Sequence, residues 1–245
     1  MSKPLCLVTG VGDGTGAAIA RRFAQKDYQV AMVARNCHRL LKLESELANA
    51  RAYVCDVGDL EALLATIETV RSQMGNPSVL IHNAVRATFG SFLETNPEDL
   101  ERNFRVNTTS LLYLARELAP AMIEAGQGAI MVTGNTAAWR GIPSYALFAP
   151  TKAAQRILAQ SLARDLGSKG IHVAYITIDA AIATPWSRDK PVQGLRAQPL
   201  DQHPRQPPEF FCQPRDIAEE VYHIAHQRLS SWSFDVEIRP FSEKW

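Results

Sequence analysis

The sequence predicts a doubly wound α/β fold, a mostly parallel sheet with helices on both faces. Three observations carry this. Apolar runs of strand length are continuous rather than alternating, as in strands buried on both faces. They alternate regularly with stretches of helical periodicity, which implies right-handed crossovers between parallel strands. No break in composition divides the 245 residues, so one domain over 1–245 is expected.

Residues 5–9 (Leu-Cys-Leu-Val-Thr) read as the first strand, and 14–26 as a helix with Ala17, Ile19, Ala20 and Phe23 on its apolar face. Residues 29–33 form the second strand, followed by a helix through Leu40, Leu41, Leu43 and Leu47. A third strand at 52–55 precedes a helix over 60–70, and 78–81 is the fourth strand. Pro97 stands where a helix can begin. The pattern then runs from Leu100 towards Met122, with Asn107 as the point where it can break. Strands at 129–133 and 171–178 flank a helix at 153–166 whose early turns hold Lys152. Seven prolines from Pro185 to Pro214 exclude a long regular helix there and predict an extended loop, 184–214, which either covers a ligand site or is a solvated insertion. A helix at 215–228 and a strand at 233–238 close the chain.

Composition excludes several classes of partner. Hydrophobic residues make up 46% and charged residues 21%, as in ordinary globular proteins. A net charge of +1 gives no ground for nucleic acid or an anionic membrane as partner. No apolar run is long enough to span a bilayer, and Met1-Ser-Lys-Pro4 lacks a signal-peptide layout. Cys6, Cys37, Cys55 and Cys212 lack CxxC spacing and read as buried free thiols. His223 and His226 share a helix face without a third ligand, so no metal site is expected. A cytoplasmic protein is expected.

Thr9-Gly10-Val11-Gly12-Asp13-Gly14-Thr15-Gly16 joins the first strand to the first helix. Glycines there let the backbone turn tightly, approach a pyrophosphate and present helix N-terminal amides to it. Gly12, Gly14 and Ala17 fit G-x-G-x-x-A, while Gly10, Gly14 and Gly16 fit T-G-x-x-x-G-x-G, which starts at the strand end and is preferred. This second frame resembles the cofactor motif of the short-chain dehydrogenase/reductase family, whose fold is of Rossmann type. The resemblance extends over nearly the whole chain. Asp56-Val57 resembles the adenine-contacting pair, and His82-Asn83-Ala84-Val85 keeps the central two residues of Asn-Asn-Ala-Gly. Ile182-x-Thr184-Pro185 looks like the segment holding the nicotinamide carboxamide, with Asp179-Ala180 in place of the usual Pro-Gly.

Arg35 follows the second strand, near where an acid would bind a ribose 2′-hydroxyl; Ala34 occupies the acid position itself. Arg35 can clamp a 2′-phosphate, so NADP(H) is favoured over NAD(H), although Asp13 in the glycine turn opposes it.

Lys152 lies four residues after Phe148, on one helical face if the turn is already formed. By the resemblance this is the place of a Tyr-x-x-x-Lys pair, with Lys152 matching and Phe148 standing in the tyrosine's position. The resemblance further implies that Asn107 is the active-site asparagine anchoring a proton-relay water, and that Asn135 takes the serine position. Phe148 has no ionisable proton, whereas Asn135 can still donate to a carbonyl oxygen. Tyr145 is the nearest phenol that could replace the missing one, with ordinary packing as the alternative. Thr133, Thr136 and Asp179 lie at or near strand C-terminal ends and read as local backbone partners. Two functions follow. One is an NADP(H)-dependent oxidoreductase of a small-molecule carbonyl or alcohol, in which Lys152, Asn107, Asn135 and Tyr145 do the chemistry. The other is a nucleotide-binding pseudoenzyme. The resemblance implies a homodimer or homotetramer through the long fourth helix and the Lys152 helix.

Overall fold

A computed structural model of the protein describes residues 3–184 and 210–242. Seven strands form one sheet: β1 Leu5–Thr9, β2 Gln29–Ala34, β3 Ala50–Val54, β4 Val79–His82, β5 Gly128–Gly134, β6 Ile171–Ile178 and β9 Asp235–Ile238. Their order is β3-β2-β1-β4-β5-β6-β9, with every neighbouring pair parallel. The chain therefore winds outward from β1 in one direction, returns, and winds outward from β4 in the other. Between β1 and β4 the connections leave on opposite faces, which opens a crevice at the strands' C-terminal ends.

Burial explains the continuous apolar runs. In β1, Leu5 and Leu7 face a core under α3 (Leu60–Met74), α5 (Ser110–Glu124) and α6 (Ala149–Leu166). Cys6 and Val8 face the opposite core, under α1 (Thr15–Ala24), α2 (Cys37–Glu46) and α7 (Pro214–Ala225). The period-two alternation of side chains thus serves two apolar layers rather than one. Phe23 and Val221 fill the second layer and Leu111, Leu118 and Ile67 the first, each side chain worth about 1.5–3 kcal/mol of burial. Cys6, Cys55 and Cys212 are buried free thiols, but Cys37 is exposed because it opens α2 on the solvent side.

The stretch from Leu100 to Met122 does not break at Asn107. It consists of α4 (Glu98–Phe104), a π turn (Arg105–Thr109) and α5, with helical backbone throughout. A π turn widens the helix without ending it, and polarity alone does not reveal it. Periodicity also misses the two-stranded pair of β7 (Ala181–Ile182) and β8 (Phe211–Cys212), each only two residues long. Most of the expected 184–214 loop falls at 185–209, outside the described residues.

The β1–α1 turn depends on Gly10. Its φ is +73°, and a Cβ there would lie 2.5 Å from the backbone N and Cα of Ala84, just past β4. Gly12 meets nothing within 4 Å. Gly10→Ala should therefore destabilise the protein by about 2 kcal/mol or more, and Gly12→Ala by less than about 0.5 kcal/mol. Urea denaturation of both variants checks this, and equal losses would contradict the assigned turn.

Candidate functional site

The glycine turn is held by the strand ends around it. Asn83, the residue after β4, donates from Nδ2 to the Gly10 carbonyl at 2.9 Å. Its Oδ1 accepts from Thr133 Oγ1 of β5 at 3.0 Å. The methyl of Thr184 sits where a Gly14 side chain would go, 2.9 Å from its ideal Cβ. Gly10, Gly14, Gly16, Asn83, Ala84 and Thr184 are thereby brought together, while Ile182 pairs with Cys212 in β7–β8. Helix α1 begins at this turn with neither a side-chain cap nor an acid in its first turn. Its free N–H groups and dipole favour an anion there. Thr15 Oγ1 is buried and finds no hydrogen-bond partner among the described residues.

Arg35 and Asp56 approach to 3.8 Å, both substantially exposed, so solvent screening leaves Arg35 free to turn elsewhere. Asp56 also accepts from the Gly58 amide at 2.9 Å, and Val57 is buried in the core. Asp13 pairs with Arg39 at 3.0 Å. Arg39 occupies the first turn of α2 because Asn36 caps that helix, accepting from the Arg39 amide at 3.0 Å. The acid in the glycine turn is thus matched by a second arginine, which a reading centred on the β2 end overlooked.

At the other end of the crevice, Lys152 lies in the first turn of α6 and is 2% exposed. The Phe148 carbonyl accepts from the amides of Thr151 and Lys152 at 3.0 and 3.3 Å, so the turn between Phe148 and Lys152 is formed. Lys152 Nζ donates to the Thr133 carbonyl at 3.2 Å and to Gln155 Oε1. Gln155 Nε2 donates in turn to the main-chain carbonyl of Asn107 at 2.6 Å. The Asn107 side chain brackets Arg86, accepting from its amide and donating to its carbonyl, both at 2.9 Å. It donates also to Thr151 Oγ1 at 2.8 Å. Lys152, Asn107 and Asn83 therefore belong to one network, through Thr133 and Gln155. Gln155 carries a visible sequence signal: a polar side chain three residues beyond Lys152, on the same helix face.

Asn135 and Tyr145 lie outside this network. Asn135 Oδ1 caps the 3₁₀ turn Thr136–Ala138, accepting from the Ala137 amide at 3.1 Å, which leaves its NH₂ as the outward donor. Thr136 Oγ1 donates to Asp179 at 3.2 Å, so these two are partners of each other. Tyr145 packs in an aromatic cluster, its ring 4.9 Å from Phe89 and 5.9 Å from Phe148. Burial raises its phenol above the usual range, against a smaller opposing effect of Arg140.

Two bases beneath the crevice are buried. Burial brings the Lys152 amine from its usual range down to about 7. His82, at the end of β4, is fully buried and brought down to about 4, first by burial and then by the Lys152 charge. Its Nδ1 meets Thr9 Oγ1 at 3.1 Å, and its buried Nε2 has no hydrogen-bond partner among the described residues. Because His82's folded value lies below its unfolded one, the unfolded chain takes up the proton first as pH falls. That contribution to stability is complete above about 6.5 and is lost as pH falls towards about 4. His82→Asn should therefore shrink the drop in melting temperature between pH 7 and pH 4.5. An acid slope equal to that of the parent would refute this.

Known proteins resemble this chain in sequence and in fold. A profile of the short chain dehydrogenase family matches residues 4–191. The chain is 31% identical over 174 residues to a versicolorin reductase of Emericella nidulans, covering 69% of this chain and 66% of that one. It thus spans just under two thirds of that relative's length. It is 28% identical over 228 residues to a carbonyl reductase [NADPH] of Sus scrofa, covering 93% and 91%. A solved metagenomic short-chain oxidoreductase in complex with NADP superposes with a TM-score of 0.81 at 26% identity, over 98% of both chains. A short-chain dehydrogenase from Rhodopseudomonas palustris gives 0.80 at 28% identity, over 97% of this chain and 99% of that one. With a family match over most of its length and a fold that superposes on solved members, this chain belongs to the short-chain dehydrogenases.

Proposed function

We propose that the protein is an NADP(H)-dependent oxidoreductase that interconverts a carbonyl and an alcohol on a small molecule, with a reduced set of acid–base groups. The observation that carries this is the hydrogen-bond chain from Gly10 through Asn83 and Thr133 to Lys152. It ties the anion-binding turn rigidly to a buried amine, which suits a ligand with a phosphate end and a reactive end. The unpartnered Thr15 hydroxyl and the uncapped first turn of α1 fit a pyrophosphate. Arg35 and Arg39 would meet the 2′-phosphate, with Asp56, Val57, Ala84, Ile182 and Thr184 along the rest of the dinucleotide. When bound, the nicotinamide supplies or accepts hydride. Lys152 would hold the ribose, Asn107 would fix the α6 start through Thr151, and the Asn135 amide would donate to the substrate oxygen.

Phe148 brings no hydroxyl for proton transfer, and Tyr145 stands apart from Lys152's partners. That observation favours the second reading, a nucleotide-binding pseudoenzyme. We propose a homodimer or homotetramer for either function, supported by the exposed Leu112 and Ile123 on α5 and Ile157 on α6.

The first expected outcome is that NADPH binds more tightly than NADH by one to two decades, as charge-assisted bonds worth roughly 1.5–3 kcal/mol imply. Calorimetric titration should show most of that preference lost in Arg35→Ala with Arg39→Ala; an undiminished preference would dismiss the two arginines. The second concerns turnover. Phe148→Tyr combined with Asn135→Ser should raise NADPH-dependent reduction of a reactive diketone by roughly 10²-fold, more than either change alone. If the parent already turns over fast and Tyr145→Phe abolishes it, the phenol has moved and the pseudoenzyme reading fails.

A further inference from the structure

Gln155 is fully buried on the inner face of α6, beside the buried Thr151 and Lys152. Both ends of its amide are used: Oε1 accepts from Lys152 Nζ, and Nε2 donates to the Asn107 carbonyl at 2.6 Å. That carbonyl lies in the π turn Arg105–Thr109, where the widened backbone departs from ordinary helical pairing. A buried amide is tolerated when its hydrogen bonds are made, and here both of its ends are paired.

The surroundings of the lysine make this neutral contact decisive. Thr133 of β5, Asn107 of the π turn and Gln155 itself are uncharged. The next residue on α6, Arg156, turns away to Asp235. The titratable group that feels the amine's charge is His82 of β4, which burial keeps neutral above about pH 4. No carboxylate pairs with Lys152 among the described residues. Its charged form is thus supported by two neutral acceptors, one of them a side chain that mutation can change.

We infer that Gln155 is the positioning residue of Lys152, a neutral clamp that aims its amine, couples it to the Asn107 turn and sets how readily it holds a proton. For a bound cofactor this rests on the reading given under Proposed function; for the lysine itself it does not.

The test is an NMR titration of the full chain labelled with [ε-¹³C]lysine, the Lys152 signal being identified by its loss in Lys152→Met. The parent should titrate near neutral pH, in keeping with a folded value of about 7. Gln155→Glu, which sets a carboxylate against the amine, should move the midpoint up by about one pH unit or more. Gln155→Leu, which removes an acceptor, should move it down. Gln155→Asn, too short to reach both partners, covers the case in which the leucine variant does not fold, and should also move it down. A Lys152 titration unchanged across the folded variants would overturn the inference, since a merely structural glutamine would alter stability without moving it. NADPH affinity measured against pH on the same proteins should follow the lysine midpoint. If the midpoint moves and NADPH binding ignores it, the clamp stands and the placement of the cofactor beside Lys152 fails instead.

Discussion

Lys152's amine is buried among neutral acceptors, and everything around the crevice is arranged to make that tolerable. An ammonium taken out of water without a counter-charge costs several kcal/mol unless good hydrogen bonds replace its hydration. Here the replacements are the Thr133 carbonyl and the Gln155 amide. Thr133 also anchors Asn83, and Asn83 anchors the carbonyl of Gly10. Gln155 anchors the π turn, whose Asn107 holds Thr151 and both backbone groups of Arg86. One amine therefore links the C-terminal ends of β1, β4 and β5 to the start of α6. Networks of this kind rigidify when every member is satisfied, and few members here are left over.

The two ends of the crevice differ in what holds them. At the glycine turn the constraint is steric: backbone meets backbone at Gly10 and Ala84, and no side chain fits between. Charge is supplied from outside by exposed arginines, Arg39 already balanced by Asp13 and Arg35 loosely by Asp56. At the lysine the constraint is electrostatic, and burial sets it. Phe148, Ala137 and Ala149 form a small buried cluster with Tyr145 against it, and Phe89 closes the aromatic group at 5.3 Å from Phe148. Such a wall offers packing surface and little acid–base chemistry.

The sheet was legible in the sequence because its signal is local. Continuous apolar runs and turn glycines report burial on two faces and a phosphate-ready turn, and both depend on residues close together along the chain. The same locality let Lys152 be placed in the early turns of the helix that follows β5. The glycine frame could also be chosen from position alone, since Gly10 ends the strand and Gly12 does not. Its physical reason, the approach of Ala84, lies 74 residues away and needed the sheet register.

What only the tertiary structure decided are the contacts between distant segments. The sequence alone determined a parallel α/β sheet, a glycine turn at its first crossover, a lysine at the start of the sixth helix and a phenylalanine four residues before it. It did not determine that Thr133 serves Asn83 and Lys152 at once, that Asn107 sits in a π turn, or that Gln155 joins that turn to the lysine. Secondary structure follows from patterns of period two and 3.6, which are written along the chain. A buried polar network follows from which carbonyls and amines face each other after folding, and that depends on register and burial across β1, β4, β5 and α6, which no local pattern encodes.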